Sequence, residues 1–264
     1  MKIINSFLLV FFTAVFVACS SEEYISSYRI NEVFPGMRLD SISNGHAMNF
    51  KLKYIGDKLM EYGEYLENGE VHKSRLYKLD WRKDRIDIYN GVREELICSA
   101  IVGDNQFVKE CYDSEGELLH VFTYDTDGHL IRYNEDPMSY GTPDYKVLQW
   151  DNGNLVAFES HYFRSNGNSE DGEKTTEFSG FKHENAGRIA HLDSSIYGEY
   201  LGSLMYISAL YYAGMLGLGM ENYPSSYYLS SQKGGWGSLN VTTKDGYVIK
   251  DDRRDYFYIN TKEQ

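Results

Sequence analysis

The stretch EYLGSLMYISALYYAGMLGL, residues 199–218, breaks the pattern of the chain around it. Its Leu201, Leu204, Met205, Ser208, Tyr211, Tyr212, Met215 and Leu216 recur at helical spacing. An apolar helix of this kind has to be buried. What surrounds it in the sequence is strand and turn. Gly56-Asp57, Asn68-Gly69, Asn90-Gly91, Asp104-Asn105, Asn152-Gly153 and Asp245-Gly246 are hairpin dipeptides, and Asp113–Gly116 and Asp125–Gly128 are longer turns. Asn, Asp and Gly tolerate the positive φ that tight turns demand.

Between turns the side chains alternate with period two. Met48, Phe50, Leu52 and Tyr54 share one face, with Asn49, Lys51 and Lys53 on the other. Val156, Phe158 and Tyr162 alternate with Ala157, Glu159, His161 and Phe163. Further strands are expected near 58–66, 71–80, 85–89, 94–102, 106–112, 117–124, 129–134, 145–150, 173–183, 187–193, 226–232, 238–243 and 246–259. The expected fold is mainly β: a many-stranded antiparallel meander, strongly curved or barrel-like, closed by one apolar helix near 199–218.

The N-terminus reads as a targeting segment. Lys2 supplies a positive start, and Phe7 to Val17 is an apolar run broken by Thr13. That run falls short of the ~20 apolar residues that span a bilayer. It ends at Ala18-Cys19, which resembles the lipobox of bacterial lipoproteins, where the cysteine is acylated and becomes the mature N-terminus; Phe16 departs from the usual Leu. Residues 1–18 are therefore expected to be a signal peptide, 19–45 a lipidated tether and lead-in, and 46–264 a single β-rich domain. Ser20-Ser21-Glu22-Glu23 is similar to the acidic surface-export signal of Bacteroidetes lipoproteins, and that reading is taken ahead of the alternative, a solvated tether.

The full chain carries 26 basic and 39 acidic residues, net −13; losing Lys2 leaves 25 against 39, or −14. Such a surface argues against nucleic acid and anionic lipid as main partners. Aromatic residues make up 15 % of the chain, with 24 Tyr and 4 Pro, which favours sheet over disorder.

Two motifs carry a resemblance. One is the tandem Tyr112-Asp113-Ser114-Glu115-Gly116-Glu117-Leu118 and Tyr124-Asp125-Thr126-Asp127-Gly128-His129-Leu130. The other is Ala209–Gly217 followed by Asn222-Tyr223-Pro224 and a last strand opening at Asp245-Gly246-Tyr247. Over roughly residues 48–260 the chain resembles an uncharacterised family of gut Bacteroidetes lipoproteins with a porin-like fold. The resemblance implies a many-stranded curved or barrel-like sheet and brings no activity or catalytic residues with it. A transmembrane barrel needs an unbroken apolar band facing lipid. Lys78, Asp80, Glu110 and Arg132 interrupt the candidate faces, so a lipid-anchored domain outside the bilayer is expected.

Catalytic and metal motifs are sparse. The seven His, at 46, 72, 120, 129, 161, 183 and 191, form no His-x-x-x-His pair, although His120 and His129 flank one hairpin and could meet; two exposed strand histidines are the plainer reading. Asp125–Gly128 is half of a calcium loop, and turn-forming Asp explains it more simply. Gly214, Gly217 and Gly219 lack the Lys-Ser/Thr of a phosphate loop and read as a close helix contact. No Gly-x-Ser-x-Gly elbow is present. No metal, cofactor or catalytic group is expected, and the chain is read as not an enzyme.

What remains is aromatic. Tyr223, Tyr227, Tyr228 and Trp236, among Gly234, Gly235 and Gly237, could stack on sugar rings or a partner protein. Core packing predicts the same residues. Separately, a two-residue turn at Asp104-Asn105 would make facing residue numbers add to 209, placing Cys98 opposite Cys111 within disulfide reach; two free buried thiols are the other reading. The functional expectation is an outer-membrane lipoprotein, surface-exposed or periplasmic-facing, that binds a glycan or envelope partner. A structural or accessory subunit of an envelope complex is the alternative.

Cys19→Ser tests the anchor. It is expected to release the protein from the membrane fraction or to leave the precursor unprocessed; unchanged fractionation with an unshifted mature mass contradicts lipidation.

Overall fold

The computed structural model describes residues 30–43, 48–66, 70–135, 145–162, 172–189, 205–230, 235–252 and 254–260. The chain opens with α1 (Ile30–Val33) and β1 (Arg38–Ser43), then runs through β2 (Met48–Ile55), β3 (Lys58–Leu66), β4 (Val71–Trp81), β5 (Arg85–Asn90) and β6 (Leu96–Val102). It continues through β7 (Val108–Tyr112), β8 (Leu118–Tyr124), β9 (Leu130–Glu135), β10 (Tyr145–Asp151), β11 (Asn154–Tyr162) and β12 (Gly172–Ser179). A departure from the sheet follows, made of β13 (His183–Glu184), α2 (Met205–Tyr212) and β14 (Asn222–Tyr223). The sheet resumes with β15 (Ser226–Leu229), β16 (Gly235–Ser238), β17 (Thr242–Lys244), β18 (Tyr247–Lys250) and β19 (Asp255–Ile259).

From β2 to β12 each strand pairs antiparallel with the next. β12 then pairs with β15 across the departure, and β15 with β16. At the other side β1 lies between β2 and β19, and β18 joins β19 to β17. These ladders form a path that begins at β16 and ends at β17, strands joined in the chain by Leu239-Asn240-Val241. Four Cα steps can span at most about 15 Å. The 17-stranded sheet therefore curls round until its two end strands come together at this covalent link, with no ladder between β16 and β17 among the described residues.

The ring encloses α2. Every side chain from Tyr206 to Tyr212 is buried, as are Ala213, Met215 and Leu216. One contiguous apolar cluster joins them to inward residues of β1 through β12, β18 and β19, such as Leu39, Leu52, Ile88, Phe122, Phe158, Val248 and Tyr256. Tyr212 stacks on Tyr62 at 6.0 Å and Tyr206 leans on Tyr77 at 6.4 Å. The helix ends because Gly214 takes φ 75°, letting Gly214 N–H bond to Tyr211 O and Met215 N–H to Leu210 O. That is a Schellman stop, and it falls earlier than the expected helix end at 218.

The exit segment then crosses one mouth of the ring. Met215 O accepts from Val108 N–H, Leu218 N–H donates to Gly128 O, and Glu221 N–H donates to Gly153 O. Gly217, at φ 88°, must be glycine, since a Cβ there would lie 2.7 Å from Gly128 O. The post-helix glycine and the Tyr124–Gly128 hairpin, both singled out in the sequence, thus pack on each other. Val33 and Phe34 cover Phe107 at the same mouth, and buried Arg38 ties them down by donating to Phe34 O at 3.0 Å.

Several expectations are corrected. The lead-in 19–45 contains β1, which a six-residue strand with distant partners conceals. The strand expected at 187–193 is instead a turn at Ala186-Gly187, where Ala186 N–H bonds to Gly246 O; residues 190–193 lie outside the described residues. The span 246–259 divides into β18 and β19 around a turn that Asp251 holds, its Oδ1 accepting from Arg254 N–H at 2.9 Å. The expected strand 238–243 is split between β16 and β17 by the seam link. Residues 1–29, including Cys19, and 199–204 lie outside the described residues.

Truncating a side chain inside the ring should cost far more than truncating one outside. Leu210→Ala, at a fully buried position, is expected to lose about 2–5 kcal/mol, whereas exposed Ile55→Ala stays within about 0.5 kcal/mol. Urea titration checks both; equal small losses would mean α2 is not enclosed.

Candidate functional site

The wall faces outward with charge. Lys53 lies opposite Glu61, which lies opposite Lys78, so three strands carry an alternating row; the Lys53–Glu61 pair is 3.4 Å apart. Asp80 faces Asp87, a like-charged pair relieved by Arg82 on both carboxylates and by Arg85 at 3.0 Å from Asp87. Facing lipid, each such Lys or Arg would cost about 2–4 kcal/mol at mid-bilayer. An apolar filling inside a charged wall is the reverse of a water-filled membrane pore.

The four aromatics singled out in the sequence separate. Tyr223 is fully buried in the core. Tyr227 faces inward, half-buried against that core, and its ring lies over Gly237 opposite, where any Cβ would overlap it. Tyr228 and Trp236 face outward as a cross-strand pair with ring centroids 5.3 Å apart, and Trp236 is 67 % exposed. Period two explains the division, since neighbours in one strand point to opposite faces.

Register extends this pair into a row. Trp236 faces Tyr228, Tyr228 faces Glu177, Glu177 faces Ala157, and Ala157 faces Gln149. Five strands contribute one outward residue each, and four inter-strand steps make the row about 19 Å long. Two aromatic faces stand at one end, with a carboxylate and an amide beyond them. Gln149 donates to Glu159 at 3.1 Å. Glu177 and Gln149 carried no signal in the sequence, because their place beside Trp236 depends on the β12–β15 pairing across the departure.

The cysteine pairing is corrected. The turn is longer than two residues: Gly103 N–H bonds to Phe107 O, Gln106 takes φ 65°, and Asn105 Oδ1 accepts from Phe107 N–H. A bulge between Ile101 and Val102 adds a second shift, so Cys111 faces Ala100 rather than Cys98. The two shifts together return both sulfurs to the inner face, diagonal to one another, as free buried thiols. Burial, and then contact with Cys98, pushes the Cys111 thiol well above its ordinary pKa.

His120 and His129 do not meet, and neither is an exposed strand residue. His120 is buried between Tyr206, at 2.5 Å from Nε2, and Tyr133, at 3.2 Å from Nδ1. His129 stacks on Trp150 at 4.6 Å and reaches Asp125 at 3.3 Å. Asp125 is occupied by its own turn, its Oδ1 accepting N–H from Asp127, Gly128 and His129. Burial pushes the Asp125 carboxyl up, but those backbone donors and the His129 ring outweigh it and hold it below its usual value. A second His–carboxylate group, Glu159, His161 and Glu173, stands on the outer face of β11 and β12.

The fold is similar to a porin-like protein from Bacteroides uniformis, with TM-score 0.59 and 13 % identity over 85 % of this chain and 99 % of that one. A porin-like protein from Bacteroides vulgatus aligns with TM-score 0.49 and 12 % identity over 84 % of this chain and 99 % of that one. No family model and no curated protein matches the chain. The porin-like architecture expected from the sequence motifs is thereby supported at the level of fold.

Proposed function

We propose that this chain is a lipid-anchored envelope protein that binds a glycan on the outer face of its sheet and catalyses nothing. One observation carries the reading: Trp236 stands 67 % exposed beside Tyr228, in register with Glu177 and Gln149. Trp and Tyr carry large apolar faces with a polar handle and are enriched at binding surfaces, which supports a binding role for an exposed pair of them. Aromatic faces suit the apolar faces of sugar rings, and a carboxylate and an amide in line suit their hydroxyls. The formal net charge of −13 favours a neutral ligand over a polyanion. The filled interior supports a wall that works from outside, and the Ala18-Cys19 motif supports the anchor.

Affinity electrophoresis of the full chain in detergent, run through gels containing neutral polysaccharides, tests this reading. At least one polysaccharide should retard the wild type, and Trp236→Ala should weaken that retardation about tenfold or more while stability changes by less than about 0.5 kcal/mol. Equal retardation of both proteins, or none of the wild type, contradicts it.

A further inference from the structure

We propose that Glu159, His161 and Glu173 form a binding site for a divalent cation of the zinc class, on the outer face of β11 and β12. The proposal stands on these residues alone and is independent of the glycan reading. A sheet can bring three donors to one point in few ways. The simplest is two residues at i and i+2 on one strand with a third directly opposite on the next. That arrangement is present here: Phe158 and Ser160 face the core, Glu159 and His161 face out, and Glu173 is the cross-strand partner of His161.

The donor atoms converge. One ligand atom from each residue lies within 4.8 Å of the other two. The shortest approaches are to different ring nitrogens, Glu159 Oε2 at 3.5 Å from His161 Nε2 and Glu173 Oε2 at 3.9 Å from Nδ1, so a shared ion takes one nitrogen and draws the other carboxylate round to it. Zinc with N and O ligands at ~2.0–2.2 Å sets its ligands about 3.4 Å apart in a tetrahedron. Side-chain rotation alone spans the difference, and Glu173, at 60 % exposed, is free to make it.

Two of the donors are held from behind, as metal ligands are. Glu159 has its Oε1 fixed by Gln149 at 3.1 Å, which leaves Oε2 directed toward His161. The His161 ring is stacked on Tyr145, its partner on β10, at 4.3 Å and 16°, and the Arg132 guanidinium covers Tyr145 at 4.2 Å. One imidazole and two carboxylates are the donor set of a zinc-class ion with open positions for water. Calcium takes six to eight oxygens and magnesium a near-ideal octahedron of them, and this site offers neither. The other His–carboxylate group among the described residues, Asp125, Asp127 and His129, is a poorer host, because the Asp125 carboxylate already closes its hairpin.

Calorimetric titration of zinc chloride into the metal-free full chain in detergent tests the site, with thermal melting as a second readout. The wild type is expected to take up one ion and to melt higher with zinc. His161→Ala and Glu159→Gln are expected to lose affinity about tenfold or more while their metal-free melting points stay near that of the wild type. His129→Ala and Trp236→Ala should bind zinc as the wild type does. No uptake by the wild type, or loss of uptake on His129→Ala with retention on His161→Ala, overturns the assignment.

Discussion

A helix with no polar face can exist in water only if something covers it on every side, and that requirement organises this protein. Tyr206 through Tyr212 are all buried, so no single sheet face suffices to shield α2. A long antiparallel meander supplies the cover by curling until its first and last ladders are joined by Leu239-Asn240-Val241. The mouth through which the chain leaves is closed by the exit segment, whose bonds to Val108, Gly128 and Gly153 touch three successive turns or strands of the ring. With most apolar groups consumed inside, the outward face carries many charged residues, with Ile55, Trp236 and Phe257 among the exposed apolar ones. The likeness to porin-like structures is one of backbone architecture, and the distribution of polarity across the wall is the opposite of a water-filled membrane barrel.

Much of this architecture was legible because it is local. Turn dipeptides such as Asn152-Gly153 and period-two runs such as those of β2 and β11 announce themselves within a dozen residues. The non-local part was hidden. β1 is short, and its partners include β19 at the far end of the chain, so residues 38–43 read as lead-in. The β6–β7 register turned on a left-handed Gln106 and a bulge, neither of which has a composition signal, and a slip of this size decides what each cysteine faces. The same limit applies to the site. Trp236 and Tyr228 were recognisable as aromatic, but Tyr223 looked equivalent and lies in the core. Glu177 and Gln149 become neighbours of the aromatic pair only once β12 meets β15.

The wall is not uniform around the ring. On β2 to β5 outward residues compensate one another, as in the Lys53–Glu61–Lys78 row and the Arg82 and Arg85 contacts to Asp80 and Asp87. The Lys53–Glu61 pair is solvated and contributes little to stability, whereas Asp87 is buried beneath Arg82, Arg85 and Ser99. On β10 to β16 the outward face is different in kind, with exposed rings, a continuous cross-strand row, and a histidine between two carboxylates. Gln149 belongs to both groups, since it ends the aromatic row and holds Glu159. This half of the wall is where binding is assigned.

Enclosure of α2 is the claim on which the rest depends, and hydrogen exchange of its amides tests it most directly. If the ring surrounds the helix, the amides of Ala213 and Met215, bonded to Ala209 O and Leu210 O, should exchange only through global unfolding, at the same opening free energy as that of Val108 bonded to Met215 O. Helix amides that exchange through a local opening well below the global unfolding free energy, while the strands of β5 to β8 stay protected, would contradict an enclosed helix.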